Sequence, residues 1–239
     1  VRGWWREIAG LVLPAACGGC GRPRTELCEE CGAALAAVPR RVRPDPEPAG
    51  LPVVHAAAPY ENAVRAMLLA HKERGALGLA GALGGALAGA VRAGTGQPGD
   101  EGPLLLVPVP SARRATAARG HDPARRIALA AAAELRRGGT AAMVLAVLRQ
   151  RRAVADQAGL GARQRQVNLA GALEVAAGGR RLLAGGRVVL VDDLLTTGAS
   201  LAEAARAVRA AESAGPGAAT ALRAAVVSAS PSAFELNRN

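Results

Sequence analysis

The residues with the most chemistry in their order run from Arg187 to Ser200: Arg-Val-Val-Leu-Val-Asp-Asp-Leu-Leu-Thr-Thr-Gly-Ala-Ser. The valine-rich start reads as a buried strand that ends abruptly in Asp192 and Asp193. A small loop of Leu194, Leu195, Thr196, Thr197, Gly198, Ala199 and Ser200 follows, and alanine-rich Leu201 to Glu212 reads as a helix. This order sets the polar groups outside the carboxyl end of a strand, where open α/β sheets bind ligands. Loop N–H groups, threonine hydroxyls and the positive end of the helix dipole make a cradle for a phosphate. The adjacent carboxylates can accept hydrogen bonds from hydroxyls, and a ribose 5-phosphate carries both features. The plainer alternative is an ordinary capped helix after a buried strand, with both acids solvated. Two neighbouring acids repel each other, however, and a ligand or cation beside them relieves that repulsion.

Chemistry of another kind lies near the N-terminus. Cys17-Gly-Gly-Cys20 and Cys28-Glu-Glu-Cys31 use all four cysteines as two C-x-x-C pairs. Each pair can turn two thiolates toward one ion, and two pairs complete a tetrahedral site. Glycines at 18, 19, 21 and 32 suit the tight turns of such knuckles. Four thiolates leave no open coordination position, so the expectation is a structural Zn²⁺ on Cys17, Cys20, Cys28 and Cys31. A disulfide framework and a dithiol redox motif are the rivals. The first belongs to exported proteins and the second ordinarily uses a single pair.

These groups need elements to hold them. Residues 1–38 are read as an N-terminal helix with the cysteine module, and 39–52, rich in proline, as a linker. Residues 53–239 are read as the main domain, of α/β class, with a mainly parallel sheet flanked by helices. Its expected strands are Val53 to Ala57, Leu104 to Val109, Val144 to Leu148, Leu173 to Ala176, the run before Asp192, and Ala219 to Ser228. Glu61 to Ala70 has helical spacing, and Leu77 to Val91 is a helix candidate weakened by five glycines. Gly94 to Gly99 formally fits a dinucleotide-binding pattern but follows no strand, and it reads as a loop. A loop from Ala112 to His121 carries Arg113, Arg114 and Arg119; Asp122 then caps a helix with Pro123 in first position, stopping at Gly138-Gly139. Arg149 to Asn168 is polar and spans two strand candidates, either as a lid over the site or as a partly helical surface excursion.

The chain has 239 residues, half of them apolar, yet only four aromatic side chains: Trp4, Trp5, Tyr60 and Phe234. Alanine, valine and leucine must therefore fill the core. No apolar run reaches the ~18 residues of a membrane helix. The stretch Trp4 to Leu13 is interrupted by Arg6 and Glu7 and lacks a small-residue cleavage site, so no signal peptide is read and cytoplasm is the expected location. Net charge is +11, and residues 103–187 alone carry fifteen arginines against four acids, which leaves the remainder balanced. Polyanions are the partners such an excess attracts: pyrophosphate-bearing small molecules, nucleic acid, or both. A solvated arginine surface reflecting base composition is the alternative, since Lys72 is the only lysine.

The stretch 187–200 closely resembles the site at which type I phosphoribosyltransferases bind 5-phosphoribosyl-1-pyrophosphate (PRPP). The whole chain resembles the ComF family of bacterial competence-associated proteins. The resemblance runs through the paired cysteines, Tyr60 and the basic segment around Lys72, Val107-Pro-Val-Pro110, and Arg119-Gly-His-Asp-Pro123. It continues through Asp156-Gln157, Arg163 and Asn168 to Val191-Asp-Asp-Leu-Leu-Thr-Thr-Gly198. It implies a phosphoribosyltransferase-like fold with a zinc module in front, and a link to uptake of single-stranded DNA beside a helicase-like partner. By this resemblance Asp192 and Asp193 hold the ribose hydroxyls and help place the Mg²⁺-bound substrate, while residues 194–200 take the 5-phosphate. Ser111, Arg113 and Arg114, helped by Lys72, hold the pyrophosphate; Asp156, Gln157 and Arg163 belong to the lid. Turnover stays open: an active transferase with an unidentified base acceptor and a PRPP- or nucleotide-sensing regulator both fit.

Overall fold

Alternation of apolar side chains along three central strands decides the architecture. In the computed structural model, which describes residues 16–96, 102–152, 161–213 and 222–235, these are β3 (Leu104–Pro108), β7 (Arg187–Leu195) and β8 (Arg223–Ala229). Successive residues point to opposite faces. Leu104, Leu106, Val189, Val191, Ala225 and Val227 enter one core; Leu105, Val107, Val188, Leu190, Ala224 and Val226 enter the other. Burial on both faces explains why these strands read as continuous apolar runs, the mark of a parallel sheet covered on both sides.

The sheet has six strands in the order β1-β2-β8-β7-β3-β4, with β1 (Arg40–Val42), β2 (Val53–Pro59) and β4 (Ala142–Val144) completing it. Among the described strands of this sheet the β1–β2 pairing is antiparallel and the rest are parallel. Among the helices, α1 (Glu29–Leu35), α2 (Asn62–Glu73), α3 (Ala80–Thr95, after a 3-10 turn at Leu77–Leu79) and α5 (Pro123–Arg137) line the first face. On the second face lies α8 (Ala199–Ser213), through Leu201, Ala204, Ala205 and Val208. The protein is thus a mixed α/β fold with a mostly parallel central sheet between helices.

Several expectations change. β7 does not stop at the acids; it continues through Asp192 and Asp193 to Leu195, paired with β8. The proline-rich stretch 39–52 is no free linker: β1 lies within it, Val42 is buried, and Gly50 O accepts a hydrogen bond of 2.8 Å from Arg209 of α8. Nor is the cysteine module tethered at a distance, since Cys17, Cys28, Cys31 and Leu35 share one core with Met67, Leu79 and Leu83. The arginine-bearing loop after β3 folds as α4 (Arg113–Arg119). The strand expected at Val144 to Leu148 is the point where the chain leaves the sheet at β4 and enters a separate antiparallel ribbon, β5 (Leu148–Gln150) with β6 (Leu173–Val175). The segment between β5 and β6 ends in α6 (Ala162–Leu169), and the short helices α7 (Gly179–Leu183) and α9 (Ser232–Glu235) bury Leu183 and Ala233 in the second core. By length and composition the apolar helical stretch Leu77–Thr95 is able to cross a membrane, but Leu83, Leu87, Ala88, Ala90 and Val91 are spent on the core.

The other expected elements that fall on described residues are present, with boundaries shifted by up to four residues; the helix expected before the cysteines and the end of the Gly94–Gly99 loop lie outside the described residues. Asp122 Oδ1 accepts from Arg125 N at 3.1 Å and caps α5, with Pro123 beside it. The glycines that weakened the reading of α3 have a use at Gly84, where a Cβ would stand 2.4 Å from Ala130 Cβ and 2.8 Å from Ala131 N. Helices α3 and α5 therefore approach closely through small residues, which compensates for a core without large aromatics. Gly84→Val forces them apart and is expected to cost about 1–3 kcal/mol in urea denaturation, the range for overpacking.

Candidate functional site

Helices that follow neighbouring strands β3 and β7 leave toward opposite faces. The chain after β3 passes through α4 to α5 on the first face, while the chain after β7 enters α8 on the second. Two adjacent parallel strands with diverging exits open a crevice at their carboxyl ends. One lip carries Ser111 and Arg114; the other carries Asp192 and residues 194–200. Ser111 is partly buried and Arg114 exposed, and neither has a hydrogen-bond or ion-pair partner among the described residues. Of Arg113 only the backbone, at the start of α4, is described. Asp156 and Gln157 lie outside the described residues.

The loop between β7 and α8 has the form of an anion cradle. Leu194 and Leu195 are still strand, and Leu195 is buried in the second core. Thr196 is exposed, Thr197 and Ser200 are partly exposed, and Gly198 turns the chain at φ +74°, a conformation that disfavours other residues. Ala202 N donates to Gly198 O at 2.9 Å, so α8 begins here and its first N–H groups face the loop. A Cβ on Gly198 would meet Leu51 and Pro48 at 3.2 Å, so residues from the proline-rich stretch prop the loop from beneath.

The two acids differ sharply. Asp193 is 6% exposed and its Oδ2 accepts from Lys72 Nζ at 2.8 Å. Burial works against its charge, but the ammonium of Lys72 outweighs that and holds the carboxyl below its usual value. Burial likewise disfavours the charged form of Lys72, and Asp193 overcomes it to raise the ammonium's pKa. Asp192 is partly buried and its Oδ1 accepts from Asp193 N at 2.8 Å. Burial first, and then the charge on Asp193, push its pKa well above the ordinary carboxylate range. Lys72 is thus the counter-ion of Asp193, and Asp192 has no ion-pair partner among the described residues.

Lys72 ends a bracket that the sequence did not reveal. Next to it, Glu73 accepts from Arg119 Nε and an Arg119 terminal nitrogen at 2.9 and 2.8 Å. His121 Nε2 reaches His71 O at 3.2 Å, and the two imidazoles meet edge to face at 5.7 Å. His71 is fully buried, and burial pushes its pKa down, so it stays neutral. One turn of α2 thus holds β7 through Lys72 and the α4–α5 connection through His71 and Glu73, fixing both lips of the crevice.

A second support comes from α8. Glu203 Oε1 accepts from Leu173 N at 2.9 Å, while Arg206 donates to Leu173 O at 2.8 Å and pairs with Glu203. Burial opposes the charge on Glu203, but Arg206 and the backbone donors keep its pKa low. The β5–β6 ribbon is thereby clamped to the helix that follows the cradle, and α6 packs on the same helix. Here Arg165, rather than Arg163, reaches the cradle, donating to Thr196 Oγ1 at 3.2 Å; Arg163 is exposed on α6.

The cysteine cluster fits a metal by its own geometry. Sulfurs ~2.3 Å from a tetrahedral zinc stand ~3.8 Å apart. Cys17 and Cys28 sulfurs lie 3.7 Å apart and Cys20 and Cys28 sulfurs 3.6 Å, with all four ligand atoms within 4.8 Å of one another. None is in a disulfide. Cys28 N also donates to Cys17 Sγ at 3.4 Å, orienting the ligand. These four residues can hold Zn²⁺ or a similar ion.

Two outcomes follow. Zinc-loaded protein is expected to contain one ion per chain by native mass spectrometry, and chelation should lower its melting temperature markedly, because three ligands belong to the main core. For Asp192, a folded-state pKa above the unfolded value means that stability falls as pH rises from about 3.8 through the raised value. Asp192→Asn removes that loss: the variant should melt higher than the wild type at pH 7, with the gap closing toward pH 4. A variant that melts lower at pH 7 would show the carboxylate to be compensated.

No protein-family model matches the chain, and no curated protein matches it, so what the crevice does has to be read from its own residues.

Proposed function

We propose that the chain binds PRPP, or a related ribose phosphate, with Mg²⁺ at the carboxyl ends of β3 and β7, on a phosphoribosyltransferase-like fold of the ComF kind. The observation that carries this reading is one carboxyl, Asp192, set beside a glycine-turned cradle at the start of α8, in the crevice between strands whose helices diverge. Residues 194–200 receive the 5-phosphate through backbone N–H groups and the hydroxyls of Thr196, Thr197 and Ser200. Asp192 accepts hydrogen bonds from the ribose hydroxyls, and Asp193 acts through Lys72 to hold the strand end in place. Ser111 and Arg114 face the pyrophosphate from the opposite lip, and the resemblance adds Arg113 to them. Mg²⁺ arrives with the substrate and offsets the charge of its phosphates.

Binding without rapid turnover is the form of this reading that the side chains favour. A base acceptor is commonly held by stacking on an aromatic ring. Among the described residues the phenyl-type rings are Tyr60 and Phe234, and both pack against the cores. The arginine excess of residues 103–187 suits a polyanionic partner, single-stranded DNA in the role that the ComF resemblance implies, held through phosphates and weakened steeply by salt. That role places the chain in the cytoplasm beside a helicase-like protein.

Calorimetric titration with PRPP and Mg²⁺ is expected to give saturable binding, and Asp192→Asn to weaken it roughly tenfold or more, since hydrogen bonds to a charged group are worth about 1.5–3 kcal/mol each. Pyrophosphate release on adding a panel of free bases separates transferase from sensor. No PRPP binding by folded wild-type protein would defeat the proposal.

A further inference from the structure

Arg165 is held against the cradle from outside the sheet. The insert that carries it leaves β5 and returns to β6, and its neck is closed by Arg151 N donating to Ala172 O at 2.8 Å. Arg152 donates to Asn168 O and Ala170 O at 2.9 and 2.8 Å, satisfying carbonyls at the C-terminal end of α6. With the Glu203–Arg206 clamp on Leu173, α6 is fixed at its base and packed on α8. From that position Arg165 sends a terminal nitrogen to Thr196 Oγ1. Thr196 is a neutral acceptor, and no carboxylate pairs with Arg165 among the described residues. Its Nε is buried and has no hydrogen-bond partner.

A buried guanidinium donor without an acceptor is costly, and a cation set on a hydroxyl of an anion cradle keeps its charge unneutralised. Both are relieved by one event, the arrival of a phosphate at Thr196. A guanidinium offers paired donors in a fork that matches two phosphate oxygens, which a hydroxyl does not. We infer that Arg165 is a phosphate ligand of the cradle: it reaches from α6 to the phosphate held by residues 196–200, supplying the cation that the loop itself lacks. This rests on the phosphate reading of the crevice and extends it to the insert. Arg163, two residues earlier on α6, is exposed and has no such contact.

The opposite role is also physically definite. An arginine parked on Thr196 only to plug the cradle competes with phosphate, and its removal then tightens binding. The test is calorimetry on the full chain, loaded with zinc, using PRPP with Mg²⁺ and, separately, inorganic phosphate. Arg165→Ala should lower the affinity for both roughly ten- to hundredfold. Arg165→Lys should recover part of it, because the charge returns without the fork. If wild-type protein binds neither probe, the phosphate reading of the crevice fails and this inference with it. If wild type binds and Arg165→Ala binds equally well or more tightly, the crevice stands and the role of Arg165 falls. Should Arg165→Ala not fold, as judged by its melting transition, Arg165→Gln keeps the side-chain volume and decides the same question.

Discussion

The ion pair of Lys72 with Asp193 is what lets two acids share one strand end. Both side chains lose water on folding, and each favours the charged form of the other across 2.8 Å. Without the ammonium, Asp192 and Asp193 would face each other across one peptide with burial disfavouring both charges. With it, one carboxylate becomes part of the frame and the other is left strained toward protonation. The only lysine of an arginine-rich chain stands here, where a compact point charge fits a single carboxylate oxygen.

That pair is one end of a rigid frame around a crevice whose chemistry is carried by loops. Sheet alternation sets the directions of β3 and β7, and the opposite exits of their helices separate the lips. The α2 turn ties the lips together through Lys72 and Glu73, while α8 holds the insert through Glu203 and Arg206. Groups that would meet a ligand are therefore mounted on short segments, each anchored by charge to an element of the core. Such an arrangement leaves the loops polar and accessible while fixing their separation.

Much of this was legible in the sequence, and the failures share a cause. The central strands, the Asp122 cap with Pro123, the cysteine knuckles and the glycine turn at 198 each depend on residues within a few positions of one another. Local pattern suffices for them. The ends of strands do not follow from pattern, because β7 continues through its acids only by pairing with β8 and burying Asp193 against Lys72. Partners far apart in the chain, such as Glu73 with Arg119 or Glu203 with Leu173, leave no spacing to read. A buried glutamate among the alanines of α8 was a signal of sorts, since burial of an acid demands partners. Between Arg163 and Arg165 the sequence offers nothing to choose; helix phase and the position of α6 on α8 decide it.

The stretch from Pro39 to Pro52 has the composition of a spacer, and a spacer is where chains ordinarily accept insertions. Here it supplies an edge strand, a carbonyl for Arg209, and the Pro48 and Leu51 side chains beneath Gly198. Lengthening it by a residue shifts the floor under the turn between β7 and α8. Its length is thereby tied to the seating of a turn remote from it in sequence.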